Sequence, residues 1–558
     1  MKRLSLLFIL FTFLFNGIVA QTPWAKKAAG AVFTLKTFGK DGQLLASSNG
    51  FFVSEKGEAL SCYTPFKGAY RAVIIDAQGK EWPVDCIIGA NDMYDVAKFQ
   101  VNVKKAVTLT IQSDNSSEGA SVWLLPYSAK KVPQCIQGTV SGAETFQEKY
   151  AYYTLAMSYN DQHVGCPILS DNGEVIGILQ PGVDSKTAAC YAVSAPFVYQ
   201  MQMMGVSLNE TALRATAIDK AIPDDQQQAL LAMFMGSTLL DSLQYASYID
   251  RYINKFPENP DGYITRARKQ TIAKHYAEAE QDMQQALKVA KQKDDVHYQY
   301  AQLIYQKVML QPDPAYAPWT LERALQESRE AYQANPMAPY LQQQAQIHYA
   351  MQQYQEAFDL YQKLAQGEMR NADIFYAAAQ CKLQQKEQEA AIAQMDSAVA
   401  MFTQPYTKNA APYLLARAQM LNNAGKYRIA VNDYNDYEKL MSAQLTAAFY
   451  YTRHQAEKNG HLYQQALNDI NRAIEMAPTE PFYYAEKASL ELRVGMRDEA
   501  IETAQACIRI APDMSDGYLF LGIAQCLKGM KEEGVKNMQK AKELGHDQAQ
   551  ELIDKYGK

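Results

Sequence analysis

Two hydrophobic periods divide the chain. From about Ala28 to Met203 the apolar positions come in short alternating runs. Examples are Ala31-Val32-Phe33-Thr34-Leu35, Gly50-Phe51-Phe52-Val53, Ala72-Val73-Ile74-Ile75 and Glu174-Val175-Ile176-Gly177-Ile178. Successive side chains of an extended strand point to opposite faces, so each run predicts a strand. Turn sequences punctuate the runs, as in Lys40-Asp41-Gly42, Glu55-Lys56-Gly57 and Asp171-Asn172-Gly173. Many short strands at this spacing predict an all-β barrel or sandwich.

Beyond about Asp224 the period becomes helical, and the pattern itself recurs. The small residues Ala279, Ala324, Ala357, Ala390, Ala430, Ala466, Ala500 and Gly534 fall at intervals of about 34, with two longer steps. Twelve residues before most of them stand Ala267, Ala345, Ala378, Ala418, Ala488 and Gly522. Pro336, Pro478 and Pro512 follow several of them by twelve, and Gly425, Gly495 and Gly529 fall between the predicted helices of a pair. Small residues let two antiparallel helices cross closely, and proline, lacking an N–H, ends the second helix. Over some 300 residues the pattern resembles the tetratricopeptide repeat. About eight repeats are expected from Pro260 to His546, with a degenerate first one over Gln227 to Pro257. Asp547 to Lys558 reads as the polar capping helix that such an array needs at its end.

At 558 residues the chain is too long for one hydrophobic core. Its start reads as a secretory signal over residues 1–20: Lys2 and Arg3, an apolar run from Leu4 to Leu14, then Gly17-Ile18-Val19-Ala20. The mature protein is therefore expected to be exported, periplasmic or secreted. Nothing after the signal is long and apolar enough for a stable membrane span. The net charge of −6 is spread over interspersed residues of both signs, without the basic stripe of a nucleic-acid binder. The eight cysteines include no Cys-x-x-Cys pair, which argues against a structural zinc site, and no metal or cofactor is expected. An exported chain permits disulfides, and the spacing leaves their pairing open.

Four further segments fall in a telling order. Ser48-Asn49-Gly50-Phe51-Phe52-Val53 and Gly57-Glu58-Ala59-Leu60-Ser61-Cys62-Tyr63-Thr64-Pro65-Phe66 are followed by Asn91-Asp92-Met93-Tyr94-Asp95-Val96-Ala97 and Asp161-Gln162-His163-Val164-Gly165-Cys166-Pro167. Together they resemble the trypsin-like serine proteases, nearest to the bacterial envelope branch known as HtrA. The resemblance covers about residues 25–205 and implies a double β-barrel. It places Thr64 where the family has its catalytic histidine, Asp95 at the triad aspartate and Val164 at the nucleophilic serine. Catalysis in that family needs a hydroxyl, an imidazole to take its proton and a carboxylate to orient the imidazole. Of the three, only the carboxylate is present, so no catalytic residue is assigned. Gly165 and the turn around it could still offer an oxyanion-hole-like pocket of backbone amides. Asp95, without an imidazole, should bond local backbone or Thr64.

The expected architecture is thus a trypsin-like domain over 25–205, a linker over 206–226, a repeat array over 227–546 and a capping helix over 547–558. The expected function is that of a non-catalytic scaffold or adaptor. Its array, with the degenerate cleft as a second candidate, would bind proteins or peptides. The 37 tyrosines include Tyr340, Tyr349, Tyr376, Tyr413, Tyr450, Tyr451, Tyr483, Tyr484 and Tyr518 in or near first helices, mostly as packing positions. Gln342-Gln343-Gln344 and Gln384-Gln385 read as solvated faces. The rival expectation is a peptidase with an unconventional centre at Cys166 or His163.

Overall fold

The computed structural model describes residues 23–129, 133–147, 149–182 and 190–557, so the expected signal peptide lies outside the described residues. The chain forms two compact units that divide between Lys291 and Gln292.

The first unit holds the expected double barrel. Strands β1 (Val32–Phe38), β2 (Leu44–Phe52), β3 (Glu58–Ser61), β4 (Arg71–Ile75), β5 (Glu81–Asn91) and β6 (Val96–Val101) close in the order β1-β2-β3-β6-β5-β4. Strands β7 (Ser121–Leu124), β8 (Ile136–Phe146), β9 (Tyr150–Ala156), β10 (Pro167–Ser170), β11 (Val175–Leu179) and β12 (Cys190–Ser194) close in the order β10-β11-β12-β9-β8-β7. Alternation along β1 sends Phe33 and Leu35 inward, where Phe33 meets Phe52 edge-on at 4.9 Å. Val122, Leu124, Ile168, Ile178 and Val193 fill the second barrel. Tyr94, at the end of the first barrel, stacks on Phe146 of the second with centroids 4.0 Å apart.

Residues 206–226, read above as a linker, are part of the first barrel's packing. Leu213 and Ile218 are buried in its core. The Tyr63 hydroxyl donates to Ala212 O at 2.9 Å, Gly68 N–H donates to Ala215 O, and Lys220 forms a parallel bridge with Ile87. The segment lacks any long period because it is anchored by a few separate apolar residues.

Helices α1 (Gln226–Leu239), α2 (Ser242–Lys255), α3 (Pro260–Ile272) and α4 (Tyr276–Val289) complete this unit. Asp225 caps α1 by accepting from Gln228 N–H, and Asp241 with Gln244 forms a capping box on α2. Arg251 on α2 makes a bidentate pair with Asp85 on β5, at 3.0 and 2.6 Å.

The second unit is all helix. It pairs α5 (Asp294–Leu310) with α6 (Leu321–Ala334), α7 (Ala338–Ala350) with α8 (Tyr354–Ala365), and α9 (Ala372–Gln384) with α10 (Gln388–Val399). Then α11 (Ala411–Asn423) pairs with α12 (Tyr427–Met441), and α13 (Ala447–Asn459) with α14 (Tyr463–Met476). The series ends with α15 (Pro481–Arg493) on α16 (Arg497–Ile510), α17 (Ser515–Leu527) on α18 (Lys531–Glu543), and the final α19 (Ala549–Tyr556).

The fourth residue of each second helix is a buried small one, from Ala279 and Ala324 to Ala500 and Gly534. In α10 it is Ala391, not the Ala390 of the sequence alignment. One residue is about 100° of helix rotation, which leaves Ala390 half-buried. A Cβ on Gly534 would lie 2.7 Å from the carbonyl oxygen of Gly522, so this crossing excludes any side chain. The eighth residue of the first helices is Ala301, Ala345, Ala379, Ala418 and Ala488, but in α13 it is His454, wholly buried. His454 Nδ1 lies 2.8 Å from Ala466 O. The short turns inside pairs, unlike the longer connection from α5 to α6, use a left-handed residue, supplied by Gly425, Gly495 and Gly529 but elsewhere by Lys274, Gln352, Lys386 and His461.

Candidate functional site

The nucleophile-position loop begins with a capped turn, Asp161–His163. Asn160 Oδ1 accepts from Gln162 N–H at 3.0 Å, and His163 Nδ1 accepts from Asn160 N–H at 3.3 Å. His163 N–H donates to Asn160 O, Val164 N–H to Asp161 O, Gly165 N–H to Leu179 O and Cys166 N–H to His163 O. Every amide from Gln162 to Cys166 therefore has an acceptor within the chain. The amide pocket expected around Gly165 is absent from these residues because their donors are already used.

A second clamp acts on the carbonyls. Asn49 on β2 donates its side-chain N–H groups to Gln162 O at 2.6 Å and Val164 O at 3.1 Å, and its backbone N–H also reaches Val164 O. Ser48 Oγ adds a bond to Val164 O at 3.2 Å, and Ser61 Oγ holds Asn49 O. Gly165 has φ +83°, and a Cβ there would overlap the Asn49 carbonyl, so only glycine fits. Val164 itself leans on the second barrel's core. Asn49 and Asn160 are the residues that the motif reading missed. Their bonds cross from one strand to a distant loop or cap a local turn, and neither leaves a periodic mark.

At the other triad positions, the Asp95 carboxylate accepts from Thr64 N–H at 2.5 Å, and Asp95 O accepts from Tyr63 N–H. Asp95 sits at φ +48°, a left-handed conformation that these two bonds help to hold. Cys62 Sγ, buried, donates to Leu179 O at 3.5 Å. Burial and then the Asp95 carboxylate push its thiol well above the usual cysteine range. Cys166 is buried in the second core, and desolvation raises its thiol to about 12. A nucleophilic cysteine must be a thiolate, and neither environment favours one. His163 is held below the ordinary imidazole range by partial burial, and its Nδ1 is occupied as an acceptor in the turn.

Elsewhere in this unit, a cavity of about 870 Å³ is lined by Glu58, Asp85, Lys98, Asp224, Arg251 and Lys255, among others. Lys98 pairs with Glu58, Arg251 with Asp85 and Lys255 with Asp224, so the cavity presents no field of one sign. Among the described residues, no cluster of His, Cys, Asp and Glu could hold a metal ion, and no helix is long and apolar enough to cross a membrane.

The helical surface is built on ion pairs that the periodicity reading missed. Arg266–Asp282, Arg417–Asp433 and Arg453–Asp469 are bidentate pairs sixteen residues apart, each joining the two helices of one repeat. The same arginines reach back to Asp250, Asp396 and Glu438 of the preceding pair. Arg453 is nearly enclosed, and Glu457 beside it is 3% exposed with one oxygen lacking a partner. Burial, then the nearby Asp469 carboxylate, raises Glu457 to about 8. Tyrosines join successive first helices: Tyr298 meets Tyr340 at 5.2 Å, and Tyr340 and Tyr413 donate to Asp294 and Asp373. Gln343 and Gln344 are buried and bond the carbonyls of Tyr298 and Ser328, contrary to their reading as solvated.

Residues 48–178 match the family model described as the trypsin-like peptidase domain. Over 91 residues the chain is 32% identical to the small glutamine-rich tetratricopeptide repeat-containing protein 2 of Saccharomyces cerevisiae, covering 16% of this chain and 26% of that protein. The protein of the same name from Mycosarcoma maydis is 31% identical over 93 residues, 17% of this chain and 26% of the relative. A TPR repeat-containing thioredoxin of Arabidopsis thaliana is 28% identical over 86 residues, or 15% and 23% of the two chains. The matches thus span about a quarter of these relatives' length. The chain carries a trypsin-like domain and a helical repeat region with tetratricopeptide relatives.

Proposed function

We propose that the protein is an exported, non-catalytic interaction scaffold, whose helical repeats engage protein or peptide partners beside a barrel domain that cleaves nothing. The observation that carries this reading is the state of the loop at Val164. The residue has no hydroxyl, Thr64 offers no imidazole, and the amides from Gln162 to Cys166 are all bonded to acceptors within the chain. An acyl-transfer site needs donors aimed at a developing oxyanion, typically worth about 3 kcal/mol each. Burial of the Cys62 and Cys166 thiols weighs against a substitute nucleophile. The tetratricopeptide relatives support protein partners for the array.

The test is an assay of casein and fluorogenic peptides with the full chain and with Cys166→Ala. The expected rate equals the buffer blank for both. Turnover that disappears in Cys166→Ala would overturn the reading. Export is tested by sequencing the N-terminus of the protein recovered from its cells. A start at Gln21 is expected, and a chain retaining Met1 removes export from the proposal.

A further inference from the structure

Aligning the first helices on their buried eighth residue exposes a second regularity on the solvent side. The ninth residue is glutamine in five successive repeats: Gln302 in α5, Gln346 in α7, Gln380 in α9, Gln419 in α11 and Gln455 in α13. All five are exposed or half-buried. Gln302, Gln346, Gln380 and Gln419 make no side-chain hydrogen bond to the described residues. Gln455, at the end of the row, instead donates to the Tyr451 hydroxyl at 2.7 Å and to Glu486 at 3.1 Å.

The neighbours of the row on the same helix face lie four residues before each glutamine and three after. They are Tyr298, Gln342, Tyr376, Leu415 and Tyr451 on one side, and Tyr305, Tyr349, Leu383, Asn422 and Lys458 on the other. The only charge among them, Lys458, is paired with Glu486 at 2.7 Å. The face is therefore neutral, amide-bearing and aromatic. Contacts such as Tyr298 with Tyr340, and Tyr376 with Tyr413 at 6.3 Å, show that successive first helices adjoin.

We infer that this row of glutamines holds an extended polypeptide by its main chain, with little regard to its sequence. The inference rests on the interaction reading above and specifies its partner. A group repeated along the array suits a ligand whose own binding group repeats along its length. The primary amide offers two donors and one acceptor oxygen, which complements the N–H and C=O of a peptide unit. Phosphate backbones and carboxylate termini would need cations, and this face has none free. Helices packed at about 10 Å set one glutamine for roughly three residues of extended chain. The tyrosines supply amphipathic contact area that tolerates varied side chains.

Fluorescence anisotropy of the full chain tests this, with a labelled neutral 20-residue peptide of Ala, Ser, Thr and Val as probe. Shuffling that peptide should leave its Kd within about threefold. N-methylation of alternate peptide nitrogens should weaken binding at least tenfold. The triple variant Gln346→Ala, Gln380→Ala, Gln419→Ala should do the same, since three main-chain hydrogen-bonding amides are lost together. In that variant N-methylation should cost much less. Gln455→Ala, whose amide is already used, should bind as the parent does. Equal binding by the triple variant, loss on shuffling, or indifference to N-methylation overturns the ladder while leaving the interaction reading intact. Binding of neutral chito-oligosaccharide in place of peptide overturns it too. A chain that binds no probe and yields no cross-linked protein partner loses both.

Discussion

The loop at Val164 and the face at Gln302–Gln455 use amides in opposite ways. In the loop, every N–H from Gln162 to Cys166 is satisfied internally, and Asn49 holds two of its carbonyls. On the face, four glutamine amides in a row, exposed or half-buried, have no hydrogen-bond partner among the described residues. A polar group already paired inside the chain must break that bond before it can bind a partner, and the exchange gains little. A family resemblance marks the first region as the binding place, whereas hydrogen-bond accounting marks the second.

The sharpest break in this contrast lies on α13, the helix that carries the last glutamine of the row. Arg453→Ala would leave the carboxylates of Asp469 and Glu438 without their shared cation in a nearly enclosed site. Removing one partner of a buried pair costs about 3–5 kcal/mol. Chemical denaturation should report a loss of that size, whereas Gln419→Ala, on the open face, should stay within about 0.5 kcal/mol of the parent. Comparable losses at both positions would erase the distinction between sealed interior and open row. In the barrel loop, Gly165→Ala forces a Cβ against the Asn49 carbonyl at a left-handed backbone position. A loss of about 2 kcal/mol or more is expected from overlap and strain together.

The two periods were legible because burial imposes them: alternation for strands and a 34-residue recurrence for helix pairs. The alignment slipped at Ala390 because adjacent alanines look alike until the turn at Lys386 sets where α10 begins. The first barrel's use of 206–226 was hidden, since Leu213 and Ile218 anchor that segment without any period. Asn49 was present in a recognised motif, yet its partner lies 113 residues away and a carbonyl leaves no signature in sequence. The arginine–aspartate spacing of sixteen and the recurring glutamine could have been found, but only after each repeat had been placed on its buried eighth residue.

A milder probe separates the sealed interior from the open row by pH. Glu457 has its folded pKa raised to about 8 by burial and Asp469. The folded state therefore keeps a proton that the unfolded chain releases near the ordinary glutamate value. The stability linked to that proton is fully present below about pH 4.5 and is lost as pH rises through about 8. Between pH 6 and pH 9 the parent should lose about 1–2 kcal/mol through this group. Glu457→Gln should flatten that slope, while Gln380→Ala leaves it unchanged. A parent slope retained in Glu457→Gln would place the titration elsewhere. Smaller still, Lys386→Gly relieves a left-handed non-glycine turn at φ +64°, and should raise stability by about 0.5 kcal/mol after the entropy of the unfolded glycine is set against it.

The smallest expected effect is the most demanding of the comparison. Thr64→His with Val164→Ser restores all three side chains of the triad, and Asp95 already bonds the backbone of residue 64. Side chains alone would not reopen the amides. Gln162 N–H would still be held by Asn160, Val164 N–H by Asp161 O, and their carbonyls by Asn49. The double variant should therefore hydrolyse fluorogenic peptides no faster than the parent chain. Adding Asn49→Ala and Asn160→Ala removes the side-chain bonds of both clamps without touching the restored triad. Activity that appears only in this fourfold variant would identify the clamps as the barrier. Activity already present in the double variant would mean that the loop opens readily and that its internal hydrogen bonds do not decide its function.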